Sequence, residues 1–156
     1  MLLDCFERMK VKVFTIGFTK KNAERFFTLL KTDKIERVID VRLNNVSQLA
    51  GFAKKDDLKF FLKELCGAEY IHAPDLAPTS DILSAYKNGT MSWQKYEDLF
   101  LNLLAKRSIE KNFNTEILDN GCLLCSEHEP HMCHRRLVVE YLNEFTDLNL
   151  QVKHLF

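Results

Sequence analysis

The chain has no excess of charge of either sign, no long apolar run, no internal repeat and no cysteine framework. Its 22 Lys and Arg balance 22 Asp and Glu. That removes any general attraction to nucleic acid or anionic lipid and leaves only a local patch as a route to either. No window approaches the roughly 20 apolar residues of a membrane span, so no membrane partner is expected. The opening Met1-Leu-Leu-Asp-Cys-Phe-Glu-Arg-Met-Lys10 carries acidic residues at Asp4 and Glu7 and lacks the apolar core of a secretory signal. Five cysteines, at positions 5, 66, 122, 125 and 133, are an odd number without the spacing of a disulfide scaffold. The expectation is therefore a cytoplasmic protein with reduced thiols. With no linker or low-complexity stretch, residues 1–156 read as a single domain. Residues 1–10 form an extension before the first strand, and Met9 is an alternative start.

What is present alternates. Val11 to Gly17 reads as a strand ending in a glycine turn, followed by a helix over 20–32 that puts Ala23, Phe26, Phe27 and Leu30 on one face. Val38-Ile-Asp-Val41 reads as a second strand, leading into a loop over 43–51. The next helix places Leu58, Phe61, Leu62 and Leu65 at i, i+3, i+4 and i+7 and closes near Gly67. Glu69 to His72 gives a third strand, and Pro74 and Pro78 mark a loop before a short helix at about 80–88. Ser92 is placed to cap a long helix with the apolar stripe Trp93, Tyr96, Leu99, Phe100, Leu103 and Leu104, which reads as core. Residues 108–120 read as a short helical turn and a loop. A helix with Leu137, Val138, Tyr141, Leu142 and Phe145 on one face and a strand over 150–155 complete the chain. Strands alternating with helices predict an α/β fold: one three-layer domain with a mainly parallel sheet of about five strands.

The most informative stretch is Cys122-Leu-Leu-Cys-Ser-Glu-His-Glu-Pro-His-Met-Cys-His-Arg135, in which a buried strand runs through a polar loop into a helix. Such a turn lies at the carboxyl edge of a parallel sheet, where ligands bind. Cys125 would face the amino end of the helix beginning near Cys133, and a helix amino end favours an anion. With Arg135 in the first turn, its thiol pKa would fall below about 8.5, making Cys125 a candidate thiolate nucleophile. Arg42 or Arg135 could clamp a small anionic ligand, Asp40 would orient the arginine, and Glu127 would transfer a proton or brace the loop. The bland alternatives are a buried structural Cys125, a loop-stabilising Asp40–Arg42 pair, and solvated His128 and His131.

These residues resemble the family known as domain of unknown function 488. The resemblance rests on Thr15-Ile-Gly-Phe-Thr19, Asp40-Val-Arg42, Tyr70 with His72, Leu124-Cys-Ser-Glu127, Pro130, Cys133-His-Arg135 and His154-Leu155, and spans about 11–156. It implies a fold and a pocket to which Gly17, Thr19, Tyr70, His72, Cys133 and His134 contribute. Many members carry a proline in the loop after Asp-Val-Arg, where this chain has Asn44-Asn45. Many also have Leu-Gly where this chain has Leu76-Ala77, and alanine lacks the φ > 0 conformations open to glycine. Rhodanese-like sulfurtransferases and cysteine phosphatases are similar in placing a cysteine between strand and helix, but the position of their loop arginine is His131 here.

Three functions follow as expectations. The first is a small enzyme using Cys125 in an anion-binding pocket, with no cofactor. The second is a non-catalytic module binding nucleic acid or a partner protein, since some family members are labelled repair-associated. It would draw on the basic run His131, His134, Arg135 and Arg136 and on Lys54, Lys55, Lys59 and Lys63. Those lysines alternate with Asp56, Asp57 and Glu64, as on a solvated helix face. The third is a zinc-bearing structural domain using Cys125, Cys133 and the nearby histidines. A resident metal ranks below the nucleophile because adjacent Cys133 and His134 are expected to point in different directions at a helix start.

Overall fold

A computed structural model describes residues 8–46 and 50–156. Cys5 and the middle of the 43–51 loop therefore lie outside the described residues. Five strands form one sheet in the order β3-β2-β4-β1-β5, and every pairing is parallel. They are β1 (Met9–Gly17), β2 (Arg37–Asp40), β3 (Glu69–His72), β4 (Gly121–Cys125) and β5 (Leu148–Leu155). The first strand thus begins at Met9, two residues before the expected Val11, because Met9 and Lys10 pair with Leu148 and Asn149 of β5.

Helices cover both faces, giving the three layers. On one face lie α1 (Ala23–Thr32) and α2 (Lys55–Phe61), the latter continuing as a wider π-turn over Leu62–Cys66. Phe26, Leu30, Leu58 and Leu62 pack there against Ile16, Val38 and Leu124. On the other face lie α3 (Ser80–Lys87), α4 (Trp93–Lys106), α5 (Ile109–Asn112) and α6 (His134–Phe145). Phe100, Leu104, Leu137 and Val138 pack there against Val13, Ile39 and Leu123. The two-residue period of a strand sends alternate side chains to opposite cores.

Local chemistry accounts for the helix ends. The Asn22 side chain accepts from the Arg25 N–H at the start of α1, and Ser92 accepts from the Lys95 N–H at the start of α4. The π-turn ends at Gly67, which takes a left-handed φ of 61°. By widening the last turn it rotates Leu65 out of the apolar face, leaving it 49% exposed against the 3.6-residue expectation. Phe145 is likewise exposed rather than core and meets Tyr141 in a tilted ring contact at 4.7 Å. Ala77 sits in extended backbone with φ −94°, so the absent glycine is not needed there.

The connections fix where a ligand could enter. From β1 to β2 to β3 the chain moves outward with its helices on the first face, then returns through β4 and β5 with its helices on the second. Right-handed crossovers require this change of face when the direction reverses. As a result β4 stands between two strands whose following chain departs to the opposite side. Its carboxyl end, Cys125, is a topological switch point. Among the described residues, no helix is long and apolar enough to cross a membrane.

Phe100 is fully buried between α6 and the sheet, whereas Phe60 is 60% exposed. Phe100→Ala is expected to cost about 3–5 kcal/mol in urea unfolding, and Phe60→Ala less than about 0.5 kcal/mol.

Candidate functional site at the end of the fourth strand

Cys125 and Cys122 are three residues apart on β4 and face opposite cores, so they do not share a site. Burial pushes the Cys122 thiol above its usual range. Cys125 instead meets the start of α6. Cys133 caps that helix in extended backbone (φ −140°, ψ 138°) without using its side chain as a cap. From there Cys133 and His134 both turn inward. The two sulfurs and a His134 ring nitrogen all fall within 4.8 Å of one another. The expected divergence of these neighbours is thereby corrected, and the three also make a donor set that zinc accepts.

His134 organises the group. Its Nε2–H donates to the Val41 carbonyl at 2.7 Å, and its Nδ1 lies 3.6 Å from Cys125 Sγ. A carbonyl only accepts, so the Val41 bond places a proton on Nε2 and turns Nδ1 toward the thiol. Phe100 packs edge-on against the imidazole at 5.5 Å and fixes its plane. The Cys125 pKa is held well below the usual thiol range. The main cause is a hydrogen bond from the Cys133 thiol, which outweighs burial and is joined by the His134 charge and the Glu127 N–H. Cys133 is pushed the other way, by burial and by the neighbouring Cys125 charge. Burial opposes protonation of His134, yet the Cys125 charge and hydrogen bond raise its pKa overall. The pair therefore favours thiolate and imidazolium.

The loop between Cys125 and Cys133 is held from below. Arg135 is fully buried and directs its guanidinium at backbone: Nη1 donates to the Glu127 carbonyl and Nη2 to the His128 carbonyl at 3.0 Å. Its Nε reaches Thr15 Oγ1 at 3.2 Å, and Nη1 also lies 3.5 Å from Cys133 Sγ. Having accepted from Arg135, the Thr15 hydroxyl donates onward to His154 Nδ1 at 2.6 Å. Both the N–H and the hydroxyl of Thr19 donate to the Ser126 carbonyl, at 3.1 and 2.8 Å. Gly17 has no room for a side chain, since a Cβ there would lie 1.6 Å from the Glu127 carbonyl oxygen.

A second network lies at the end of β2. Asp40 is fully buried and accepts from Arg42 Nε and Nη2, each at 2.8 Å, and from the Tyr70 hydroxyl at 2.6 Å. Asn45 donates to that hydroxyl at 3.0 Å, and His72 Nε2 donates to the Arg42 carbonyl at 3.0 Å. Arg42 Nη2 also reaches the Ala53 carbonyl, while the guanidinium lies over the Phe18 ring at 5.5 Å. Arg42 Nη1 is buried without a hydrogen-bond partner among the described residues.

A cavity of about 220 Å³ opens between these two groups. Arg42, Cys125, Glu127, Cys133 and His134 line it, with Glu127 otherwise exposed to solvent. Gly17, Thr19, Asp40, Tyr70, His72 and Arg135 are not among its lining residues, and His72 lines a separate cavity with Pro74 and Arg107. Trp93 and Tyr96, read from sequence as core alone, form an aromatic wall: their rings stack at 5.1 Å, and Tyr96 continues to Phe100 at 6.1 Å. The Val41 carbonyl was also invisible in the sequence, because any residue type supplies one. The basic run does not make a single surface. His134 and Arg135 are buried, and Arg136 pairs with Glu140 at 2.9 Å and Glu97 at 3.4 Å.

A protein-family model described as domain of unknown function DUF488 matches residues 22–142. The chain belongs to the DUF488 family. The match is shorter than the expected 11–156, but it includes both networks just described apart from Thr15, Gly17, Phe18, Thr19 and His154. No curated protein and no solved structure matches the chain. The DUF488 description names no reaction.

Because the Gly17 contact is to backbone, the loop must move to admit a methyl group. Gly17→Ala is expected to destabilise the protein by about 1–3 kcal/mol in urea unfolding. Alkylation of Cys125 should slow in the same variant, and an unchanged rate would mean that the loop does not position the thiol.

Proposed function

We propose that this protein is a small α/β enzyme in which the Cys125 thiolate attacks an electrophilic substrate carrying an anionic group. The observation that carries this reading is the Cys125 Sγ to His134 Nδ1 approach of 3.6 Å, with the ring oriented by the Val41 carbonyl at 2.7 Å. Nucleophile, base and orienting group are the three parts of an activated cysteine. His134 takes the thiol proton and holds it as imidazolium, so no outside base is required.

Arg42 is the residue assigned to the anion. The donor groups of Arg135 already serve the loop carbonyls and Thr15, which makes Arg135 a positioning residue. Arg42 Nη1, beside the cavity, has no partner among the described residues, and the guanidinium is held in place by the bidentate contact with Asp40. A buried donor left unsatisfied costs about 1–3 kcal/mol or more, which an incoming acceptor recovers. Glu127 stands at the exposed side of the cavity, where it can pass a proton to a leaving group. The aromatic wall of Trp93 and Tyr96 keeps water from the thiolate and offers a flat apolar surface to the rest of the substrate.

Labelling of each cysteine by iodoacetamide, read by mass spectrometry, tests the nucleophile. Cys125 is expected to react fastest at pH 7, ahead of Cys66 and Cys122, whose pKa values are raised by burial. Because the folded-state pKa of Cys125 is depressed, its reactivity should persist as pH falls below about 8.5 and disappear only through the lowered value. His134→Ala removes the positive neighbour and should move that midpoint upward. Slow labelling of Cys125, indifferent to His134→Ala, would leave it a structural cysteine. Inorganic phosphate, at matched ionic strength, should slow the labelling if Arg42 receives an anion beside the thiolate.

A further inference from the structure

Cys133 forms no covalent bond in the attack just described, yet its thiol donates to Cys125 and is held against the attacking sulfur. Cys125 and Cys133 each expose no more than 5% of their surface, and their sulfurs lie within 4.8 Å of each other at the floor of one cavity. The loop joining them is pinned at Ser126, Glu127 and His128, so the two thiols do not drift apart. Arg135 Nη1 lies 3.5 Å from Cys133 Sγ, placing a fixed positive charge where a second thiolate would form. As the N-cap of α6, Cys133 spends no side-chain bond on the helix. Neither of the other described cysteines shares the cavity, since Cys122 faces the opposite core and Cys66 lies at the end of the π-turn.

We propose that Cys125 and Cys133 are a catalytic dithiol that reduces small hydroperoxides, with Cys133 as the resolving cysteine and a Cys125–Cys133 disulfide as the product. The proposal rests on Cys125 being the reactive thiolate of the preceding reading and adds a second reaction at that site. In the first step Cys125 Sγ attacks one oxygen of R–O–O–H. The O–O bond breaks and its electron pair leaves on the other oxygen, which takes a proton and departs as R–OH. Cys125 is then a sulfenic acid, oxidised by two electrons. In the second step Cys133 Sγ, losing its proton, attacks the Cys125 sulfur and forms the S–S bond. The sulfenic oxygen leaves with that proton as water. In sum one hydroperoxide and two thiols give one disulfide, one alcohol (or water) and one water. A low-molecular-weight thiol returns the pair to the dithiol by exchange. The substrate must be small, because a cavity of about 220 Å³ over a buried thiol does not admit a folded protein.

Intact mass and peptide mapping after treatment with hydrogen peroxide test this, using chelator-treated, reduced full-length protein. The wild type is expected to lose two hydrogens, to yield a Cys125–Cys133 linked peptide, and to recover fully with dithiothreitol. Cys133→Ser is expected to lose the linked peptide, to give a dimedone adduct on Cys125, and to advance to the sulfinic acid, which dithiothreitol does not reverse. Sulfinic acid at Cys125 in the wild type, without a linked peptide, would overturn the proposal. So would a wild-type Cys125 that peroxide leaves unmodified. The wild-type map decides the question even if the variant does not fold. The iodoacetamide rate of the same preparation separates the two readings. Fast Cys125 labelling without a disulfide removes the dithiol alone, whereas slow labelling together with inertness to peroxide removes both.

Discussion

The Arg135 guanidinium, shut away from solvent, is the contact on which the candidate site depends. It donates to the carbonyls of Glu127 and His128 and to Thr15, and it lies against Cys133. A loop running over a sheet edge must satisfy its backbone carbonyls, and here one cation serves two of them from beneath. Those carbonyls also supply the negative ends of dipoles that make a buried arginine tolerable where no carboxylate of the described residues pairs with it. Gly17 and Thr19 complete the support, one by having no side chain and the other by holding the Ser126 carbonyl twice. With the loop fixed at both ends, the helix begins at a defined place, and Cys133 and His134 meet Cys125.

The Asp40–Arg42–Tyr70 group is the counterpart on the other side of the switch point. Its carboxylate is fully buried and its guanidinium nearly so, an arrangement that survives only when most lone pairs and N–H groups are matched. Asp40 accepts four donors: the Arg42 N–H, Arg42 Nε and Nη2, and the Tyr70 hydroxyl. Arg42 Nη1 breaks that economy. On the proposed reading, this cation beside the cavity, with one donor unmatched among the described residues, is where the anionic group of a substrate would bind. The two networks are built separately, one on each side of the sheet, and meet at the cavity.

Much of this was legible in the sequence, because strand and helix periods expose the alternation directly. Val13, Ile39 and Leu123 read as strand core and are core, and Ser92 reads as a cap and caps. The polar residues Asp40, Arg42 and Cys125 stand at strand ends, where the apolar run stops. What sequence could not supply is direction. Nothing in Cys133-His-Arg135 says that the first two residues turn toward Cys125 while the third turns under the loop. That outcome follows from the extended backbone at Cys133 and from carbonyls whose positions are tertiary. Trp93 and Tyr96 belong to a helical stripe that is mostly core, and only the reach of α4 past the sheet edge makes its first turn a cavity wall. Leu65 left its expected face because of one π-turn, which no side chain in Leu62–Cys66 announces.

The central claim is that Cys125 and His134 form a thiolate–imidazolium pair, and the ring nitrogens of His134 report it most directly. In nitrogen-15 spectra of histidine-labelled protein at pH 7, both His134 nitrogens should carry protons. Nε2–H would be bonded to the Val41 carbonyl, and Nδ1–H would face the sulfur. Cys125→Ser removes the charge that raises the His134 pKa and leaves burial and the Arg135 charge opposed only by the Val41 bond, so Nδ1 should lose its proton in the variant. A His134 ring that is neutral at Nδ1 in the wild type, and unchanged by Cys125→Ser, would contradict the account.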